Sequence, residues 1–150
     1  MDKLKIKKAL LDECLKRHRK NADVYIASMQ EAQQSANEYG NPEDWFDTYK
    51  ADLLNKRDML SQQLTKVMDE IKVLERIDLS RENSSVSFGS IVSTKDQKMF
   101  ISVGIGKIQL GKDVYYAISP SVPIFASMRD LKKGDSFDFR GKKIKILDLF

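Results

Sequence analysis

A chain of 150 residues, 41% hydrophobic and 32% charged, has the length of one domain or of two small elements and excludes a large multidomain enzyme. Its 7 Gly and 3 Pro exclude a low-complexity or collagen-like chain. One cysteine, Cys14, and one histidine, His18, exclude an internal disulfide and a Cys/His zinc cluster. No apolar run approaches the roughly 18 residues of a membrane span, and the charged start Met1–Lys8 leads into no apolar signal core. A cytoplasmic protein with no membrane partner is expected. The net charge of +4 is unevenly spread. Residues 1–20 hold eight basic side chains against three acids, giving +5, and residues 31–52 hold six acids against Lys50, giving −5.

Up to about Ile77 the apolar residues recur at helical spacing, interrupted only at Gly40-Asn41-Pro42. In the first arm Leu4, Leu11, His18, Tyr25, Ala32 and Tyr39 repeat every seven residues, with Leu15, Ala22, Met29 and Ala36 between them. In the second arm Phe46, Leu53, Leu60, Val67 and Leu74 do the same, joined by Leu64 and Ile71. So short a break makes the two arms an antiparallel coiled-coil hairpin over 1–77. Asn41 can cap the second arm, with Pro42 at its first position and Glu43 and Asp44 in the first turn, where the helix dipole favours carboxylates. Arms of this length extend on the order of 50 Å, and the acidic stretch falls at the tip.

Residues 78–85 read as a polar linker without periodicity. Beyond it the period changes to that of strands. Short runs rich in Val, Ile, Phe and Tyr occupy 87–94, 98–103, 106–110, 114–118, 136–139 and 143–149. They are expected to pair antiparallel. Ser119-Pro120-Ser121 begins an expected short helix over 121–131, with Ser121 as cap. Lys132-Lys133-Gly134-Asp135 and Arg140-Gly141-Lys142 read as turns around the last hairpin. The fold class is therefore α+β, a helical hairpin followed by a small β domain over 86–150. Its expected core is Phe88, Ile91, Phe100, Ile108, Phe125, Phe139, Ile144 and Ile146.

Few residues can carry chemistry. His18 falls on the hairpin seam and is expected to pack there, and Cys14 has neither an orienting partner nor an oxyanion site. No phosphate-cradling glycine loop is present. The carboxylates Glu38, Glu43, Asp44 and Asp47 at the tip are the remaining candidates, since oxygen ligands suit a hard cation such as Mg²⁺. Their plain alternative is a solvated helix start. Trp45 is either an interface aromatic or a staple closing the hairpin against Tyr39.

Several segments resemble the Gre transcript-cleavage factors of bacterial RNA polymerase. Ser87-Phe-Gly-Ser-Ile-Val-Ser93 is similar to the first strands of that family's C-terminal domain, Ser119-Pro120 to the Ser-Pro before its helix, and Leu131-Lys-Lys-Gly-Asp135 to its "GKKVGD"-like turn. The ending Lys143–Leu149 resembles its closing strand, Ile26–Ala32 its segment before the tip, and Phe46–Ala51 its returning helix. The resemblance implies a coiled coil that enters the polymerase secondary channel and an FK506-binding-protein-like domain that docks at the rim. Ser119, Pro120, Lys132, Lys133, Gly134 and Asp135 become candidate docking residues, and the tip acids candidate contacts to the polymerase active site. The resemblance implies no cofactor of its own, only Mg²⁺ shared with the polymerase, and indirect contact with nascent RNA. With Glu31-Ala32 aligned to the family's Glu-Ala, its two tip acids fall on Asn37 and Gly40. The expectation is a divergent channel-binding regulator that is not itself an enzyme and has no small-molecule substrate, with Glu38, Glu43, Asp44 and Asp47 as the acids from which a cleavage pair would have to be rebuilt.

Three other readings compete. Leu10, Ile26, Leu54 and Met68 lie off the seam and would suit an adaptor that dimerises through its coiled coil. A prolyl isomerase needs an apolar, aromatic-lined pocket, and the β domain has no Trp. Lys132, Lys133, Arg140, Lys142, Lys143 and Lys145 suggest a nucleic-acid binder, but no base-reading motif accompanies them.

Overall fold

The computed structural model describes residues 2–38 and 46–150, with Phe46 and Asp47 described by backbone alone. Helix α1 spans Lys3–Glu38 and α2 Phe46–Glu75. Strands follow as β1 Ile91–Ser93, β2 Lys98–Ile101, β3 Gly106–Leu110 and β4 Asp113–Ile118, then helix α3 Pro123–Met128. The chain ends in β5 Ser136–Phe139, β6 Lys142–Lys145 and β7 Asp148–Leu149. The α+β class is as expected. The break at 40–42, with Tyr39, Glu43, Asp44 and Trp45, lies outside the described residues.

Contacts group the chain into two units, one of Met1–Leu15 with Val73–Phe150 and one of Lys16–Lys72. The boundaries drawn from the sequence at 77 and 86 follow the change of period. The units follow burial, because Leu10, Leu11 and Cys14 of α1 and Leu74 of α2 belong to the core of the first unit.

Within the hairpin unit two side-chain bonds set the direction of the arms. His18 Nε2 lies 2.7 Å from Glu70 Oε2, and Arg57 Nη1 donates to Gln33 Oε1. Advancing along α1 from 18 to 33 means retreating along α2 from 70 to 57, so the arms are antiparallel. The seam read from the heptads is the buried face: Ala22, Ala32, Ala36, Val67 and Ile71 are buried, and Leu53, Leu60 and Leu64 half-buried. Three of these five buried members are alanines, so the strip removes little apolar area from water.

In the larger unit the five-stranded sheet runs β3-β4-β2-β1-β7. All neighbours are antiparallel except β2 and β4, which run parallel with Phe100 opposite Ala117. That corrects the expectation of a wholly antiparallel domain. The β3–β4 hairpin returns so that β4 pairs with β2 on one side and β3 on the other, an order that alternation along single strands does not encode. The sheet is covered on both faces. Ile91, Phe100, Ile108, Tyr115 and Ala117 join Leu10, Leu11, Cys14, Leu74 and Ile77 on one side. Val92, Met99, Ile101 and Leu149 join Phe125, Met128, Phe137 and Ile146 on the other. Strand β2 is therefore buried at three successive positions instead of alternating.

Three local expectations are corrected. The run 87–94 is strand only from Ile91, because Ser87–Ser90 forms a turn closed by Ser90 Oγ donating to Ser87 O at 2.7 Å, with Gly89 at φ +89°. The closing run 143–149 is two strands. β6 pairs with β5, then Ile146 N donates to Asp135 O and Leu147 N to Ser93 O, which carries the chain across to β1. The helix expected over 121–131 is only Pro123–Met128, with Val122 at its start and no side-chain cap. Proline at 123 forces the residue before it into extended backbone, and Val122 has φ −76° and ψ 148°. Of the expected core, Phe88, Phe139 and Ile144 are half-buried and the rest buried.

Candidate functional site

At the tip, Glu38 is exposed at the end of α1, while Glu43 and Asp44 lie outside the described residues, as does the side chain of Asp47. The arms just below form a groove of about 390 Å³ lined by Met29, Gln30, Gln33, Gln34, Asn37 and Arg57. Gln33 Nε2 donates to Asn37 Oδ1 at 2.9 Å, and Arg57 bridges the arms to Gln33. Asn37, the aligned position of one tip acid, is thus an amide already engaged with its own helix. Among the described residues no group of three His, Cys, Asp or Glu side chains converges to hold a metal.

The candidate docking residues occupy two exposed turns of the larger unit. In the first, Ser119 Oγ meets Ser121 Oγ at 2.8 Å and accepts Ser121 N–H at 3.2 Å, which holds Pro120 outward. In the second, Lys132 N donates to Asp135 Oδ2 at 2.8 Å and Asp135 N to Lys132 O at 3.0 Å, with Gly134 at φ +92°. Lys132 and Lys133 project as exposed side chains from that closed turn. The segment at Val86 runs alongside the stretch that leads into the second turn: Val86 N donates to Leu131 O at 2.8 Å and Asp130 N to Val86 O at 2.9 Å. Beside it Val86, Phe88, Pro120, Phe125, Arg129 and Asp130 line a recess of about 320 Å³. Pro120 is the one expected docking residue on that wall. Arg129 and Asp130 were not singled out from the sequence, because only the left-handed turn at Asp130, φ +64°, brings them there.

Two polar groups that sequence reasoning missed or undervalued are buried. Lys7 is fully buried, with its Nζ bonded to Asn83 Oδ1. Burial pulls its ammonium below the usual lysine range, against the opposing pull of Asp78 and Glu82. His18 is 7% exposed, and its Nδ1 is buried without a hydrogen-bond partner among the described residues. Nε2 meets the Glu70 carboxylate, so Nδ1 is the ring nitrogen left unsatisfied. A further carboxylate, Asp148, lies 3.2 Å from Lys3 Nζ and 3.6 Å from Lys133 Nζ. Partial burial pushes it up, but the Leu149 N–H and the two ammonium groups outweigh that and hold it below the usual carboxylate range. Lys133, a docking candidate, is therefore partly tied to its own domain.

The fold and these surfaces define a two-part α+β protein, a helical hairpin joined to a small β domain with two exposed, internally braced turns. No family model matches the chain, and no curated protein is similar to it. Among solved structures it is similar to the crystal structure of GreA factor homolog 1 (Gfh1) of Thermus thermophilus. The two share 15% identity, with 95% of this chain and 93% of that one covered, at a TM-score of 0.36.

Proposed function

We propose that this protein regulates transcription by binding bacterial RNA polymerase, its hairpin entering the secondary channel and its β domain docking at the channel rim. The observation that supports the reading is the joining of a helical hairpin, whose turn region carries −5 between residues 31 and 52, to a β domain that presents Ser119-Pro120 and Lys132–Asp135 on its exposed surface. The protein acts by occupying the channel and has no substrate of its own, which makes the cytoplasm its place of action. No helix among the described residues is long and apolar enough to cross a membrane. Cleavage of backtracked RNA is not stimulated. An amide at Asn37 and no side chain at Gly40 supply neither carboxylate to a shared Mg²⁺.

The test is co-purification with polymerase together with a cleavage assay on a stalled, backtracked complex. Binding without added cleavage is the expected result, and Glu43→Lys with Asp44→Lys removes the effect on transcription while leaving binding through the β domain. Failure to bind would sink the proposal. A dimer in sedimentation would then favour the adaptor, for which Ile26 and Met68 stay exposed at 41% and 44% while Leu10 is fully buried and unavailable. Turnover of a prolyl peptide by the full chain would favour the isomerase.

A further inference from the structure

The connector after α2 forms a recess that the proposed function does not use. Arg76, Asp78, Arg81, Asn83, Ser87 and Gly89 lie around about 280 Å³ of space, with Ile77 and Phe88 as its apolar part. Asn83 joins this recess to the protein interior. Its Oδ1 accepts from the buried Lys7 ammonium, and its Nδ2 donates to Ser87 Oγ at 3.0 Å. Lys7 is fully buried, yet among the described residues its one hydrogen-bond partner is a neutral amide oxygen. A buried ammonium has three donors and needs a counter-charge to offset its lost hydration.

The carboxylates nearby do not supply it in full. Asp78 is turned to its own chain, with Oδ1 accepting from Ser80 N at 2.8 Å and from Ser80 Oγ at 2.5 Å. Its Oδ2 lies 3.4 Å from Arg81 Nε, and both side chains are exposed. The Arg76 side chain makes no hydrogen bond or ion pair among the described residues, so its whole fork is open. Three cations, Lys7, Arg76 and Arg81, thus stand against two carboxylates, Asp78 and Glu82. The two guanidinium groups at the recess match paired anionic oxygens, and a phosphoryl group brings them more oxygens and more charge than a single carboxylate, while the Lys7 charge acts from behind Asn83.

We propose that this recess, with Arg76 and Arg81 at its mouth and Lys7 behind Asn83, binds the phosphoryl group of a small phosphorylated solute. Its volume is at the lower end for ligand sites, which limits the solute to about the size of a mononucleotide. Phe88 offers the apolar side for the remainder of such a ligand. The site lies wholly within the larger unit and is independent of polymerase binding.

The probe is inorganic pyrophosphate, titrated into the full-length protein at constant ionic strength by calorimetry, with the Asn83 side-chain amide followed by NMR. Saturable binding that moves the Asn83 amide is expected. Arg76→Ala with Arg81→Ala changes only exposed side chains and should weaken binding by about tenfold or more, the scale of a charge-assisted hydrogen bond, with an unchanged circular dichroism spectrum. Lys7→Met, which keeps the length of the side chain, should also weaken binding. Absence of saturable binding to the native protein overturns the proposal, and so does undiminished binding to the double arginine variant. Citrate competing as well as pyrophosphate would overturn the phosphoryl assignment.

Discussion

In the unit built on the sheet the largest fully buried side chains include Phe100, Leu10, Leu74, Met99 and Ile101, whereas the hairpin unit buries Ala22, Ala32, Ala36, Val67, Ile71 and His18. The first closes two apolar layers over both faces of a sheet. The second closes one strip and spends part of it on an imidazole. Apolar area removed from water is the main favourable term in folding, so the sheet unit is expected to resist unfolding more than the hairpin, which opens first.

The largest effect that would test this contrast is in the sheet core. Phe100→Ala should lower stability by about 3–5 kcal/mol, measured by urea denaturation, with loss of amide protection along β1, β2 and β4. Val67→Ala on the hairpin seam removes two methyl groups and should lower it by only about 1–2 kcal/mol. Equal losses at the two sites would end the distinction between the units.

Next in size is the polar pair of the hairpin. Glu70→Ala strips Nε2 of His18 of its partner in a ring whose Nδ1 already has none, and should lower stability by about 1–3 kcal/mol. Adding His18→Leu to that variant replaces the orphaned ring with an apolar side chain and should recover most of the loss. If the double variant is the less stable, the pair stabilises the seam.

A smaller change of opposite sign is expected at the last hairpin. Register pairs Phe139 with Lys142, leaving Arg140 and Gly141 as a two-residue turn with φ +50° and +77°. Arginine is strained there and glycine is not, so Arg140→Gly should raise the melting temperature through about 0.5–1 kcal/mol. A fall would show that the stacking of Arg140 on the Phe139 ring, at 5.1 Å, outweighs the strain.

The smallest effect is an acid limb. Because the folded protein holds Asp148 below its ordinary value of 3.8, its contribution is complete above that value and is lost as pH falls through the folded value. Stability should therefore decline below about pH 4, and less so in Asp148→Asn. Parallel acid limbs for the two proteins would dismiss the Lys3–Asp148–Lys133 cluster as a source of stability.

The helical seams and the final turn were legible in the chain because each depends on neighbours within one or two turns. His18 is buried at its heptad position, and Arg140-Gly141 turns where the sequence places it. The two exposed turns of the β domain were legible as turns, through Ser119-Pro120 and Lys132–Asp135, but their hydrogen bonds and the recess beside Pro120 were not. The start of α3 could have been read more closely, since Pro123 marks the first helical position on its own. The acidic tip was legible as charge alone.

The order of periods, helix then strand, and the charge reversal between residues 1–20 and 31–52 belong to the sequence by itself, because side-chain spacing and charge are properties of adjacent residues. Three features were decided only by the tertiary structure: β4 running parallel beside β2, the last strand divided between two sheets, and Lys7, Leu10 and Cys14 wholly buried on one arm of the hairpin. Each depends on segments that lie far away along the chain, as Lys7 does on Asn83 and Leu10 on the core it shares with Phe100. Burial and strand order come from which surfaces meet, and no local pattern carries that information.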